Sequence, residues 1–232
     1  MAMRDLNTVD HKAMEPLLRA ALLRIKRDCP RRSFSQGFAL ANQDLLSMVD
    51  STLKRLATAL EEEFEEEDKD ADKYFDVLQK TLETKHVRLI ETALDTISAL
   101  IELGYLRGDV PQESSSPPDD GSTRQKTLLD TIIASVCQCN KDNDETIHEY
   151  VLACFTAIME SSHMEPHGLS LILLVRTCFH IFMVSRQSSI KESARQILMN
   201  ICNMVFQRME KIDALLELED GERAKLTGCE LI

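Results

Sequence analysis

The stretch VRTCFHIF, Val175–Phe182, holds a cysteine thiol and a histidine imidazole two positions apart. A thiol that passes its proton to an imidazole becomes a nucleophile, so such a pair suits covalent catalysis. On a helix each residue turns by about 100°, so Cys178 and His180 point about 200° apart. Side chains at that spacing do not share a proton. The pair therefore indicates catalysis only if the helix is broken here, and nothing in the stretch breaks it.

The other cysteines and histidines do not form a motif for metal binding or catalysis. Cys137 and Cys139 have the same two-residue spacing, and His163 and His167 flank Pro166. The sequence contains no CxxC, HExxH or GxSxG motif and no glycine-rich phosphate loop. We therefore predict no catalytic residues, no metal and no cofactor, and expect that this chain is not an enzyme.

Charge argues against nucleic acid as a partner. The chain has 27 Lys and Arg residues against 39 Asp and Glu residues, a net charge of −12. Phosphate binding requires a basic surface, so a nucleic-acid partner is not expected. Much of the negative charge lies in one acidic run, EEEFEEEDKD at residues 61–70, which is typical of an exposed helix end and linker.

Cysteine usage and hydropathy suggest a cytoplasmic protein. The seven cysteines have no regular spacing, which in a chain of this length indicates reduced thiols. The longest apolar run, LSLILLV, is too short to cross a bilayer. We expect the protein to reach a membrane only by recruitment.

Apolar residues recur at alternating intervals of three and four, which predicts an all-α fold of about eight helices. Helix starts near 85, 125, 143, 167 and 190 make helix pairs recur at about 40 residues, the period of armadillo and HEAT units. This favours an α-solenoid over an irregular bundle. Residues 1–40 are expected to hold an N-terminal helix, 41–210 the helical domain and 211–232 a tail. Residues 61–70 and 107–124 are expected to form an acidic linker and a mobile loop. Asp142 and Glu145 have capping-box spacing.

The segment from Leu169 to Val184 is apolar on nearly every side, which predicts a helix surrounded by other helices. Its polar exceptions are Arg176, Thr177 and His180, which the sequence places in one stripe. If solvent reaches the stripe, it lies in a groove where a partner could bind. If solvent does not, the stripe satisfies internal carbonyl groups. The sequence leaves both alternatives open.

Four motifs occur in an order that resembles one family. They are ADKYF (71–75), ISALIELGYLRGDVP (97–111), LLDTIIASVCQC (128–139) and the long stretch from LLVRTCFHIF to NMVFQRME (173–210). Together they look like the N-terminal DCB domain, for dimerisation and cyclophilin binding, of the BIG family. These proteins are large brefeldin-A-inhibited guanine-nucleotide exchange factors for Arf GTPases. The resemblance covers roughly residues 45–210.

The resemblance implies an armadillo-like helical array without exchange chemistry, which lies in another domain of such proteins. It implies three partners: an Arf-like small GTPase, the neighbouring regulatory domain and a second copy of the chain. The GTPase would recruit the exchange factor, so we expect a cytoplasmic protein peripherally associated with trans-Golgi membranes. The alternative function is a homodimerisation module or a generic helical scaffold.

Five residues are candidates for partner binding: Tyr74, Phe75, Arg176, Thr177 and His180. Tyr74 and Phe75 are adjacent, so one of them is expected to face away from the core, and exposed aromatic residues are good interface anchors. The alternative is that both pack against the next helix.

Overall fold

The fold is an array of eight α-helices in the residues that the computed structural model describes, which are 14–30, 36–61, 71–110, 126–142 and 144–228. The helices are α1 (Met14–Asp28), α2 (Gln36–Glu61), α3 (Phe75–Leu82), α4 (Val87–Glu102), α5 (Leu128–Gln138), α6 (Glu145–Glu160), α7 (Gly168–Val184) and α8 (Ser188–Gly228). Short 3₁₀ turns, Ala71–Tyr74 and Cys139–Asp142, precede α3 and follow α5. The all-α prediction is confirmed, and α4 to α8 begin within three residues of the predicted positions.

The helices form two layers of a solenoid. One layer runs α1, α4, α6, α8 and the other runs α2, α3, α5, α7, because each helix packs on the next within its layer. The layers are joined by the hairpin pairs α1–α2, α3–α4, α5–α6 and α7–α8. α7 and α8 are therefore the last pair of the stack among the described residues.

Hydrogen bonds between successive pairs repeat at the predicted period. The Ser170 hydroxyl donates to Asp130, 40 residues earlier, and the Asn140 amide lies against the His180 ring across the same interval. The Ser185 hydroxyl lies 3.4 Å from Glu145, again 40 residues earlier. These spacings support the armadillo- or HEAT-like solenoid that helix starts alone had favoured.

The core lies between the layers and is continuous along the stack. Leu94 and Ile97 of α4 and Phe155 of α6 are fully buried there, as the periodicity of both segments predicts. The Cys154 thiol also lies in this core and donates to the Leu94 carbonyl oxygen at 3.2 Å. Cysteine here acts as a small apolar side chain with a weak donor.

A buried carboxylate holds the segment that leads away from α4. Asp72 is 7% exposed and accepts hydrogen bonds from the backbone N–H of Arg107 at 2.9 Å and of Gly108 at 2.9 Å. The Gly108 carbonyl in turn accepts from the backbone N–H of Leu129 at 3.0 Å. The Asp72 carboxylate thereby fixes the start of α5 through the backbone.

Four predictions from the sequence differ from the structure, are refined by it or lie outside it. α8 continues through Gly228, so most of the segment expected to be a tail from residue 211 is helical. Asp144 caps α6 by accepting from the Thr146 N–H at 2.9 Å, so the expected cap at Asp142 is wrong. The acidic linker beyond Glu61 and the loop beyond Val110 lie outside the described residues.

Gly108→Ala is expected to destabilise the protein more than Gly104→Ala. Both glycines have a positive φ, 72° at Gly104 and 75° at Gly108, and an L residue there costs about 1 kcal/mol. A Cβ at Gly108 would lie 3.0 Å from the Leu129 Cβ, whereas Gly104 has open space. We expect an additional loss of about 1–3 kcal/mol in the free energy of unfolding for Gly108→Ala. Urea unfolding of both variants measures the difference, and equal losses would contradict the close approach.

Candidate functional site

The outer face of α7 carries a row of exposed apolar side chains. Leu169, Ile172, Phe179 and Met183 are between 56% and 64% exposed. With Arg176, which is also exposed, they have the spacing 3, 4, 3, 4 that lines one side of a helix. We call these five residues the α7 seam. Monomeric proteins rarely expose apolar residues in such a continuous row, so the seam indicates a binding surface.

The prediction that other helices surround α7 is wrong for the described residues. Its inner side, which includes Leu174, Cys178 and Ile181, is fully buried, but as the last helix of its layer it has a neighbour on one side only. The sequence signal was correct that every side of α7 is suited to burial. The sequence does not show whether a side chain is buried by another part of this chain or by a partner. The seam residues were missed for that reason.

Polar contacts hold α7 in place at both ends and near its middle. At the start, Ser170 donates to Asp130 of α5. Three turns later, Asn140 Nδ2 donates to His180 Nδ1 at 2.9 Å. Beyond its end, Glu145 of α6 accepts from the Arg186 N–H at 2.7 Å. These contacts lie behind or beside the seam, so the seam is presented by an anchored helix.

Glu145 makes the most hydrogen bonds of these anchors. Its carboxylate also accepts from the Gln187 N–H at 3.3 Å and from Gln187 Nε2 at 2.8 Å. Hydrogen bonds from Arg186 and Gln187 hold the pKa of this carboxyl below its usual value. The ionised carboxylate therefore joins α6 to the short connection between α7 and α8 at neutral pH.

A groove of about 530 Å³ lies between α7 and the end of α5. Its lining consists of Ala134, Cys137, Gln138, Asn140, Leu173, Arg176, Thr177 and His180. Arg176 and His180 are exposed along it, whereas Thr177 is only 7% exposed. All three residues of the predicted stripe line the groove, but Thr177 is nearly buried in its wall whereas the other two side chains face solvent. The alternative in which the stripe lies in a groove therefore describes the position of these three residues, and a partner-binding role for them stays a prediction.

Two polar side chains near this groove have buried atoms without a hydrogen-bond partner. They are both ring nitrogens of His148 on α6 and Oδ1 of Asn140. Burial, followed by the nearby His180 ring, lowers the pKa of His148, while Asp144 and Glu145 oppose the shift. His148 is therefore neutral at pH 7 and acts as a packed core residue.

Tyr74 and Phe75 both lie in the core, 6% and 0% exposed. The expectation that one of them faces away from the core is not met, because the turn from the 3₁₀ segment into α3 directs both inward. Arg55 of α2 lies over the Tyr74 ring, 5.2 Å from its centroid. The alternative that both aromatics pack within the array describes their position, and a partner-binding role for them stays a prediction.

The α7 cysteine and histidine do not form a nucleophile pair. Cys178 is fully buried and His180 is exposed, as their helical spacing predicts. Burial raises the pKa of Cys178 to about 12 and that of Cys137 to about 11. Neither thiol is ionised to a useful extent at neutral pH, which disfavours nucleophilic attack.

Within the described ranges, no group of three or more His, Cys, Asp or Glu side chains is arranged to hold a metal ion. Over the same residues, none of the helices combines the length and the apolar content that crossing a bilayer requires.

A second row of exposed apolar side chains lies on α8. Met199, Phe206 and Met209 are between 47% and 63% exposed, and with the exposed Cys202 they have the spacing 3, 4, 3. We call these four residues the α8 stripe. The stripe differs from the α7 seam because it contains no charged side chain.

Comparison with known proteins gives the family. Residues 12–213 match the model of the Mon2/Sec7/BIG1-like dimerisation and cyclophilin-binding domain, the DCB domain. The chain belongs to this family. The DCB match includes α1 to α7 and most of the part of α8 that packs on the array. The resemblance that the sequence motifs indicated is therefore confirmed.

Two relatives of this DCB domain show how the similarity is distributed. The human brefeldin A-inhibited guanine nucleotide-exchange protein 1 is 27% identical over 227 residues, which is 97% of this chain and 11% of the human protein. The Arabidopsis thaliana brefeldin A-inhibited guanine nucleotide-exchange protein 2 is 35% identical over 141 residues, 61% of this chain and 7% of the plant protein. The chain thus spans about a tenth of the length of its curated relatives.

Thiol labelling of the folded protein is expected to modify Cys202 and to leave Cys178 and Cys154 unmodified. Cys202 is exposed, whereas the other two are buried and have a raised pKa. Mass spectrometry after a brief maleimide pulse gives the extent at each site, and labelling in denaturant is the control. If Cys178 is labelled as fast as Cys202 in the folded state, its buried position is contradicted and a catalytic role for Cys178 has to be considered again.

Proposed function

We propose that this DCB domain is a non-catalytic regulatory part of a large Arf guanine-nucleotide exchange factor. It recruits that protein to trans-Golgi membranes by binding an Arf-like small GTPase. The whole protein would then be cytoplasmic and peripherally associated with the Golgi. The observation that carries the proposal is the α7 seam, together with the family match.

The composition of the seam suits recognition of a protein. Aromatic residues, Met and Arg are enriched at protein interfaces, and Phe179, Met183 and Arg176 supply all three on one helix face. Phe179 is 56% exposed and lies between Arg176 and Met183, so it is the residue we expect to anchor a partner.

The anchoring of α7 suits a partner that changes shape with its nucleotide. The switch segments of small GTPases are ordered by the γ-phosphate and released on hydrolysis. A surface held by Asp130, Asn140 and Glu145 is pre-organised, so it can select the ordered, GTP-bound form without changing shape itself. Binding should therefore depend on the GTPase nucleotide.

Phe179→Ala is expected to weaken binding to a GTP-loaded Arf-like GTPase by about 2 kcal/mol, which is about 30-fold. Leu40→Ala on α2 is the matched control, because Leu40 is 62% exposed but lies far from α7 in the array. Titration calorimetry measures both variants against the GTP- and GDP-loaded GTPase, and thermal melting checks folding. Absence of nucleotide-dependent binding by the wild-type domain would contradict the recruitment role.

A second function, self-association or docking of the neighbouring regulatory domain, is favoured by the α8 stripe. Arg208 on α8 donates to the Pro166 carbonyl oxygen at 2.8 Å, just before α7 begins. Beyond this contact α8 continues for about 20 more residues to Gly228, which is roughly 30 Å at 1.5 Å per residue. The exposed apolar side chains of the α8 stripe suit this part of the helix to pair with another helix.

Phe206→Ser is expected to weaken self-association of the domain by tenfold or more, because it removes the largest apolar side chain of the α8 stripe. Leu23→Ser is the control, since Leu23 is 50% exposed on α1, at the other end of the stack. Sedimentation equilibrium across a concentration series gives the dimer constants. If Phe206→Ser leaves the dimer dissociation constant unchanged, self-association takes place through a different surface.

A further inference from the structure

Arg176 occupies the centre of the α7 seam without an acidic partner. In the part of the chain that the structure describes, the recorded salt bridges do not include Arg176. Residues 168–187 contain Arg176 and Arg186 and no acidic residue, although the whole chain has a net charge of −12. The seam is thus a locally cationic apolar face on an acidic protein.

His180 adds a hydrogen-bond donor beside Arg176. Asn140 Nδ2 lies 2.9 Å from His180 Nδ1, which leaves Nε2 of the exposed ring as the nitrogen available to a partner. His180 follows Arg176 by one helical turn, and both line the groove beside α5. A guanidinium and an N–H one turn apart can together bind a carboxylate.

The central position of Arg176 disfavours pairing of two copies through α7. A two-fold contact between identical helices brings the residue at the centre of the contact against itself. With two seam residues on either side of Arg176 along the helix, the two guanidinium groups would meet among apolar side chains. Like charges placed opposite each other in an interface are strongly unfavourable.

We propose that the α7 seam binds a different protein, whose contact surface presents a carboxylate to Arg176 among apolar side chains, and that Arg176 prevents two copies from pairing through α7. This inference rests on the proposed function in taking the Arf-like GTPase as that protein. The α8 stripe contains no charged side chain, so it is the surface that we expect a second copy to contact.

The binding arm compares Arg176→Leu and Arg176→Glu with the wild-type domain against the GTP-loaded GTPase. We expect about 10-fold weaker binding for Leu and about 100-fold for Glu, and a smaller salt dependence for Leu than for wild type. Arg24→Glu on α1 is the control, because it makes the same charge change at an exposed site on a helix that does not pack on α7. Lysine substitution of acidic residues on the GTPase surface should restore binding to Arg176→Glu at one position.

The association arm compares Phe206→Ser with the double variant Phe206→Ser/Arg176→Leu by sedimentation equilibrium. We expect the double variant to self-associate at least tenfold more tightly, because leucine makes the seam uninterrupted and uncharged. A further Phe179→Ser substitution should abolish that gain, which locates the new contact on α7.

The outcomes separate this inference from the proposed function. GTPase binding that is unchanged in Arg176→Leu and Arg176→Glu overturns the carboxylate contact while recruitment stands. No wild-type binding to the GTPase overturns both the recruitment role and the GTPase as the partner at Arg176. A wild-type dimer that Arg176→Glu or Phe179→Ser disrupts shows that a second copy occupies the seam, and so overturns the proposal.

Discussion

Stacking of helix pairs at an interval of 40 residues is the constraint on which the structure depends. It places Ser170 against Asp130, His180 against Asn140 and Ser185 against Glu145, so α7 is held by polar contacts to the preceding pair. The apolar residues on its inner side complete the core. The same stacking makes α7 and α8 the last pair, which leaves one side of each without a neighbour among the described residues. Because terminal repeats of a solenoid need a polar outer face to remain soluble alone, this apolar end indicates that something else covers it.

The two uncovered faces differ in charge, and this difference gives them different uses. The α7 seam has an arginine at its centre and a histidine donor beside it, so it suits a surface with complementary negative charge. The α8 stripe has only apolar and thiol side chains, and Arg195, which contacts Met199 at one end of the stripe, is paired with Glu192. A surface that selects one partner needs an interaction that is unfavourable to the wrong partner as well as contacts that attract the right one. Repulsion between two copies of Arg176 can serve as that unfavourable interaction. Under the proposed function, one DCB domain would bind a recruiting protein through α7 and a second copy through α8.

The fold could largely be predicted from the sequence, because the spacing of apolar residues alone defines helices such as α4 and α6. The site could be predicted only in part. The sequence left open whether Arg176 and His180 line a groove or satisfy internal carbonyl groups. The inward direction of Thr177 depends on how α7 is rotated about its own axis, and the spacing of the polar residues did not reveal that rotation. Tyr74 and Phe75 were misleading because adjacent residues on a helix point about 100° apart, whereas at the junction of a 3₁₀ turn and α3 both enter the core. The seam escaped because a sequence shows that a side chain is suited to burial without showing which molecule buries it.

Hydroxyl-radical footprinting of the domain with and without the GTP-loaded GTPase tests the central claim most directly, because it measures the solvent accessibility of individual side chains. We expect Phe179 and Met183 to become protected in the complex while Phe206 and Met209 keep their reactivity. Protection of the α8 pair with unchanged reactivity on α7 would contradict it.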